Sequence, residues 1–149
     1  MYRFPFFNKP SLLAVCTLLI SACSREAPTV LVTIADARVN KAQLIDTGEP
    51  GDTVGDILAF DQPLLDEQLQ QIGTNSGTCI RTLAGHSFQC NWTLTLANGS
   101  IQVAGRESDQ GMSTISIVGG TGSYSGITGD MESVNNNNGT FTQTLRYRQ

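Results

Sequence analysis

The chain has 149 residues, a formal net charge of −4 and 15% charged residues, which fits a single domain. No basic run offsets that acidic balance, so nucleic acid and anionic membrane surfaces are excluded as partners. The one histidine, His86, rules out a histidine-cluster metal site, and no metal or cofactor is expected.

Arg3 and Lys9 precede an apolar core, Ser11 to Ile20, that is too short to span a bilayer. Small residues then lead to Cys23, the pattern of a bacterial export signal covering 1–22. The segment resembles the lipobox of bacterial lipoproteins, in which the cysteine becomes the lipidated first residue. That resemblance implies lipidation at Cys23 and a bacterial envelope location. Ser24 resembles the outer-membrane pattern. A secreted form cut after Ala22 without lipid is the alternative. Loss of Arg3 and Lys9 takes the charge from −4 to −6. A tether over 23–28 and a domain over 29–149 follow.

Thr29 to Ala35 is β-branched and reads as a strand. Residues 41–47 form a weaker one, before a turn cluster at Glu49-Pro50-Gly51-Asp52. Ile57 to Phe60 runs into 61–67, where Pro63 demands an edge, an end or a bulge. Residues 78–83 and 88–96 flank a turn at Ala84 to Ser87. In the second of these, Phe88, Cys90, Trp92, Leu94 and Leu96 alternate with polar residues, the clearest strand in the chain. Asn98-Gly99 is a strong hairpin signal, returning into Ile101 to Ala104. Strands follow at 114–118 and 140–147, the latter after a second Asn-Gly turn at Asn138-Gly139. Apart from a short turn around 66–71 no helix is indicated. Seven or eight strands joined by hairpins suggest a sandwich or an up-and-down barrel.

The glycine-crowded stretch Val118 to Gly129 is not a nucleotide loop. Gly120, Gly122 and Gly126 miss the dinucleotide spacing by one residue, and Gly126 and Gly129 break any helix start.

Four stretches, 55–60, 71–79, 98–105 and 117–126, occur in an order that resembles the allene oxide cyclase and dirigent superfamily. The resemblance implies an all-β, eight-stranded antiparallel up-and-down barrel with a hydrophobic cavity, and makes the glycine stretch a structural turn with Tyr124 packed over the barrel end. It implies a cofactor-free protein that holds an apolar reactive molecule and steers its cyclisation or coupling. The alternative is a noncatalytic lipoprotein binding lipids, phenolics or a protein partner. Dimers or trimers occur among such barrels, so a homo-oligomer is also on the table. No Gly-x-Ser-x-Gly supports a hydrolase.

Candidate residues follow. Cys79 falls where plant allene oxide cyclases carry a cavity cysteine. Asp36 is the nearest carboxylate to the place of their first-strand glutamate, although a one-residue slip turns it outward. Arg106, in Gly105-Arg106, resembles a dirigent rim arginine, and with Asp109 it would orient or protonate an intermediate. Its plain competitor is a surface ion pair. Phe88, Trp92 and Leu94 line a cavity or fill a core. Asp61, Asp66 and Glu67 are mouth carboxylates or a solvated acidic loop. A two-residue turn at Ala84-Gly85 sets residue 79 opposite 90, within reach of a Cys79–Cys90 disulfide that an oxidising compartment would preserve.

Overall fold

The computed structural model describes Met1 and residues 26–149. The export-signal and lipidation readings at residues 2–23 lie outside the described residues. Among the described residues nine strands form: β1 (Thr29–Asp36), β2 (Gln43–Ile45), β3 (Ile57–Leu65), β4 (Gln71–Leu83), β5 (Ser87–Leu96), β6 (Gly99–Ser108), β7 (Met112–Gly120), β8 (Thr128–Asn135) and β9 (Thr140–Arg148). All pairings are antiparallel. β3 to β9 pair in succession, β9 pairs with β1, and β1 returns to β3 at Ile34↔Leu65 and Ala35↔Leu64. This closes an eight-stranded up-and-down barrel, with the short β1–β3 pairing as its seam.

Three elements differ from the sequence reading. The weak strand at 41–47 shrinks to the three residues of β2, which pairs with β3 as a ninth strand outside the ring. β4 is thirteen residues long because Gly73 and Gly77 continue the ladder that a propensity reading stops at 78. β8 has no sequence forecast, since its start is glycine-rich and acidic. It forms because β7 and β9 supply partners along both of its edges.

Pro63 meets its constraint in a specific way. β2 covers β3 at Ile57 to Ala59 and β1 covers it at Leu64 and Leu65. Between them that edge has no ladder partner, so a residue without an N–H is tolerated.

The glycine stretch does turn the chain at one barrel end. Thr121 N–H donates to Ser100 O (2.8 Å) and Ser123 N–H donates to Asn98 O (2.8 Å), folding a single 3₁₀ turn (Gly122–Tyr124) onto the β5–β6 hairpin. Gly122 has φ +59°, and a Cβ there would collide with the Asn98 carbonyl. Tyr124 then packs edge-on against Tyr147 at 6.2 Å, closing this end.

Leu64, Leu94, Ile101, Val103, Ile115, Met131 and Leu145 are wholly or almost wholly buried in the barrel. Each contributes about 1.5–3 kcal/mol relative to exposure. They fill the barrel toward the closed end, and the interior stays open at the other. The open end carries the β4–β5, β6–β7 and β8–β9 turns and the long 37–56 connection.

Candidate active site

At the open end lies a cavity of about 390 Å³. Leu58 and Phe60 of β3, Trp92 of β5, Phe141 of β9 and the Cys79–Cys90 disulfide form its apolar walls. Phe60 and Trp92 meet edge-to-face, with ring centroids 6.3 Å apart. Gln62, Asn75, Glu107, Ser133 and Gln143 place polar groups on the same walls.

The alternation expected for β5 holds: Cys90, Trp92 and Leu94 are buried while Gln89, Asn91 and Thr95 are exposed. The three aromatic and aliphatic candidates nonetheless part company. Trp92 lines the cavity. Leu94 lies deeper, in the closed core. Phe88 is half-buried beneath the Arg81 guanidinium, 3.6 Å from its ring centroid. Cys79 and Cys90 stand directly opposite in the β4–β5 ladder and are bonded, so the cavity cysteine offers no thiol.

The three carboxylate and arginine candidates also need correction. Asp36 is buried but sits out of step with Ala35, which lines the cavity. Its carboxylate accepts hydrogen bonds from Arg38 Nε (2.8 Å) and Nη2 (2.7 Å) and from the Arg38 backbone N–H (3.0 Å). The Arg38 side chain holds its pKa below the usual carboxylate range. Arg106 is exposed, because in β6 the odd residues Ile101, Val103 and Glu107 turn inward and the even ones turn out. It donates to Ser87 Oγ (3.0 Å) and lies 3.3 Å from His86 Nδ1. Asp109 pairs with Arg81 at 2.6 Å, and Arg81 also meets Asp52 at 2.6 Å. The Arg106–Asp109 pair is therefore replaced by Arg81 gripping both the 46–56 segment and the β6–β7 turn. Asp61 and Glu67 are exposed, and Asp66 caps the β3–β4 turn at the closed end, accepting from the Gln68 and Gln70 N–H groups (2.9 and 2.8 Å).

The residue that sequence reasoning missed is the immediate neighbour of one it chose. Glu107 faces inward, with Oε1 accepting a hydrogen bond from Ser133 Oγ at 3.0 Å. Burial pushes its pKa from the usual 4.5 up to about 7, against the opposing effect of the Ser133 hydroxyl. The available signal was the inward row Ile101, Val103, Gly105 and Glu107, a carboxylate at the end of an apolar stripe. Oε2 of Glu107, Oδ1 of Asn75 and Nε1 of Trp92 are buried with no hydrogen-bond partner among the described residues. No cluster of three or more His, Cys, Asp or Glu side chains among those residues is placed to hold a metal ion.

A closed antiparallel barrel with an apolar cavity and one elevated carboxyl is the class of protein defined here. The model of the allene oxide cyclase barrel like domain matches residues 33–144, and the chain belongs to that family. No curated protein matches the sequence. Among solved structures, pyocyanin demethylase is similar at a TM-score of 0.70 and 22% identity, over 80% of this chain and 100% of that one. The pterocarpan synthase dirigent protein GePTS1 is similar at a TM-score of 0.63 and 15% identity, over 93% and 98% of the two chains. The Diels-Alderase AbmU from Streptomyces koyangensis is similar at a TM-score of 0.62 and 19% identity, over 82% of this chain and 64% of that one.

Proposed function

We propose that this barrel takes a reactive, largely apolar small molecule into its open-end cavity and steers its cyclisation, coupling or rearrangement without a cofactor. The observation that carries the reading is Glu107, a carboxyl whose pKa burial raises to about 7 on the wall of a mostly apolar cavity. An acid with that pKa can both give and accept a proton near neutral pH. Ser133 holds Oε1 in place, while Oε2 is buried beside it without a partner among the described residues. The aromatic walls would fix the guest's conformation and exclude water, which converts binding energy into orientation. The similar barrels include a demethylase, a dirigent protein and a Diels-Alderase, which supports chemistry on a bound organic molecule.

The lipobox-like Cys23 adds a place for this chemistry, an envelope membrane to which the barrel is tethered. A Cys23→Ser variant is expected to move from the membrane to the soluble fraction. If it stays membrane-bound, the tether is wrong.

The test of the main reading is mass spectrometry of protein purified from its host membrane, before and after extraction of small molecules. Turnover of the recovered guest is then followed with wild type and Glu107→Gln. A guest that the variant converts about 10²–10⁴-fold more slowly, with KM little changed, supports the reading. Equal turnover removes Glu107 from the chemistry. Binding without conversion by either form leaves a noncatalytic carrier.

A further inference from the structure

We infer that the barrel stands on its membrane by the closed end, with Leu69 at the lipid headgroups and the cavity mouth turned away. The guest then arrives from the aqueous side. The inference rests on the tether reading given above and adds an orientation to it.

The chain fixes where a lipid on Cys23 would pull. Glu26 is three residues further on, and its carbonyl accepts a hydrogen bond from Arg148 Nε at 2.9 Å. Thr29, the first residue of β1, pairs with Tyr147, whose ring meets Tyr124 where the barrel is closed. The tether therefore enters the barrel at its closed end. Three residues reach about 11 Å at full extension.

The mouth lies the length of β1 away. Asp36, the last residue of that strand, pairs with Thr140 beside the β8–β9 turn of the open end. Eight residues rising about 3.3 Å each, tilted as barrel strands are, set the two ends about 20 Å apart. A mouth pressed onto the bilayer that holds Cys23 would need a tether about twice as long as this one.

The two ends present different surfaces, and the tether chooses between them. Val39, Leu44, Val54 and Met112 are exposed around the open end, an apolar rim that taken alone would suit a bilayer. At the closed end Leu69 is 61% exposed at the tip of the β3–β4 turn. Its N–H donates to Asp66 O (3.0 Å), and its φ of +61° lies in the left-handed region that a leucine rarely adopts. The turn thus holds an apolar side chain outward on the side where the tether enters, while the rim is kept off that membrane. A guest reaches Phe60 and Trp92 from water or from a soluble donor, and not by lateral diffusion out of the acyl chains.

For the test, the full-length precursor is processed in a bacterial host. The mature protein, purified without reductant, is reconstituted in vesicles of phosphatidylethanolamine and phosphatidylcholine. A maleimide fluorophore is placed on Leu69→Cys or on Val54→Cys, since Cys79 and Cys90 are bonded to each other and do not react. Acceptors on the lipid headgroups then read the height of each label above the bilayer. The label at 69 is expected to be quenched at least about twofold more than the label at 54, given about 20 Å between the ends. Gln70→Cys and Met112→Cys repeat the comparison at independent positions. Equal quenching at the two ends, or stronger quenching at the open end, overturns the orientation and leaves the tether standing. Mass spectrometry of the same samples reads the acyl group on Cys23. Its absence overturns the tether reading and this inference with it, and leaves the cavity chemistry untouched.

Discussion

Ser133 on β8 and Glu107 on β6 are joined by a 3.0 Å hydrogen bond across 26 residues of sequence. The two strands are not neighbours, since β7 lies between them in the sheet. The bond therefore runs over the barrel interior and anchors a carboxyl beside the cavity. Burial of that carboxyl, against the opposing pull of the Ser133 bond, gives it a pH dependence opposite to that of a salt-bridged surface glutamate.

Burial raises the folded-state pKa of Glu107 to about 7, whereas 4.5 is its usual value. Between those values the native state holds the proton more tightly than the unfolded chain, so stability falls as pH rises from 4.5 and levels off above about 7. The full loss is at most about 3.5 kcal/mol, at roughly 1.4 kcal/mol per pKa unit. Urea unfolding of wild type and Glu107→Gln at pH 4.5, 6 and 8 measures it. The variant is expected to lack this component and to gain on wild type as pH rises. Parallel curves would mean that Glu107 is solvated.

The Cys79–Cys90 bond closes a short loop, with the two residues 11 apart in sequence. Constraint of the unfolded chain by a loop of this size is worth about 2–3 kcal/mol. The double variant Cys79→Ala/Cys90→Ala is expected to unfold at correspondingly lower denaturant. It should also bind hydrophobic guests differently, because the disulfide is a cavity wall. An unchanged midpoint would show that the ladder alone holds β4 to β5.

Gly77 is fixed by its opposite number. A Cβ at this position would collide with the Asn91 carbonyl and with Cα and Cβ of Trp92. Those are atoms that cannot move without shifting the strand. Gly77→Ala is expected to cost about 1–3 kcal/mol as overpacking, and to alter Trp92 fluorescence in the folded state. A variant with wild-type stability and spectrum would place the indole elsewhere.

Arg81 is 8% exposed and is the cation for both Asp52 and Asp109. Arg81→Met keeps an apolar stem and removes the charged guanidinium that lies over Phe88. The two carboxylates are 41% and 23% exposed, so solvent softens the penalty of a broken buried pair, leaving about 2 kcal/mol. The 46–56 segment should lose hydrogen-exchange protection together with the β6–β7 turn. Loss at only one of them would show that Arg81 holds a single partner.

Much of the barrel was legible in the chain itself. Strict alternation from Phe88 to Leu96, the Asn-Gly turns and the ordered glycine stretches fixed the fold family and most strands. Cys79 does stand opposite Cys90, but by another route than the expected two-residue turn: the turn takes three residues, 84–86, and an irregularity between Arg81 and Leu83 restores the register. β8 escaped, since a strand with modest propensity forms when neighbours on both sides complete its hydrogen bonds.

The site was far less legible, and β6 shows why. Arg106 and Glu107 are adjacent, and a period-two strand sends one to solvent and the other to the cavity. Local sequence names both charged residues equally well. Which face is interior depends on how eight strands close, and which charged group is tolerated there depends on partners from distant strands. Glu107 needs Ser133, and Arg81 needs Asp52 and Asp109. Sequence determined most of the strands and several of the turns between them, because those are local and periodic properties, and its resemblance to the family selected a barrel over a sandwich. Tertiary structure alone decided where the interior is left unfilled and which carboxyl is desolvated in it, because burial is a property of the closed barrel and of no single strand.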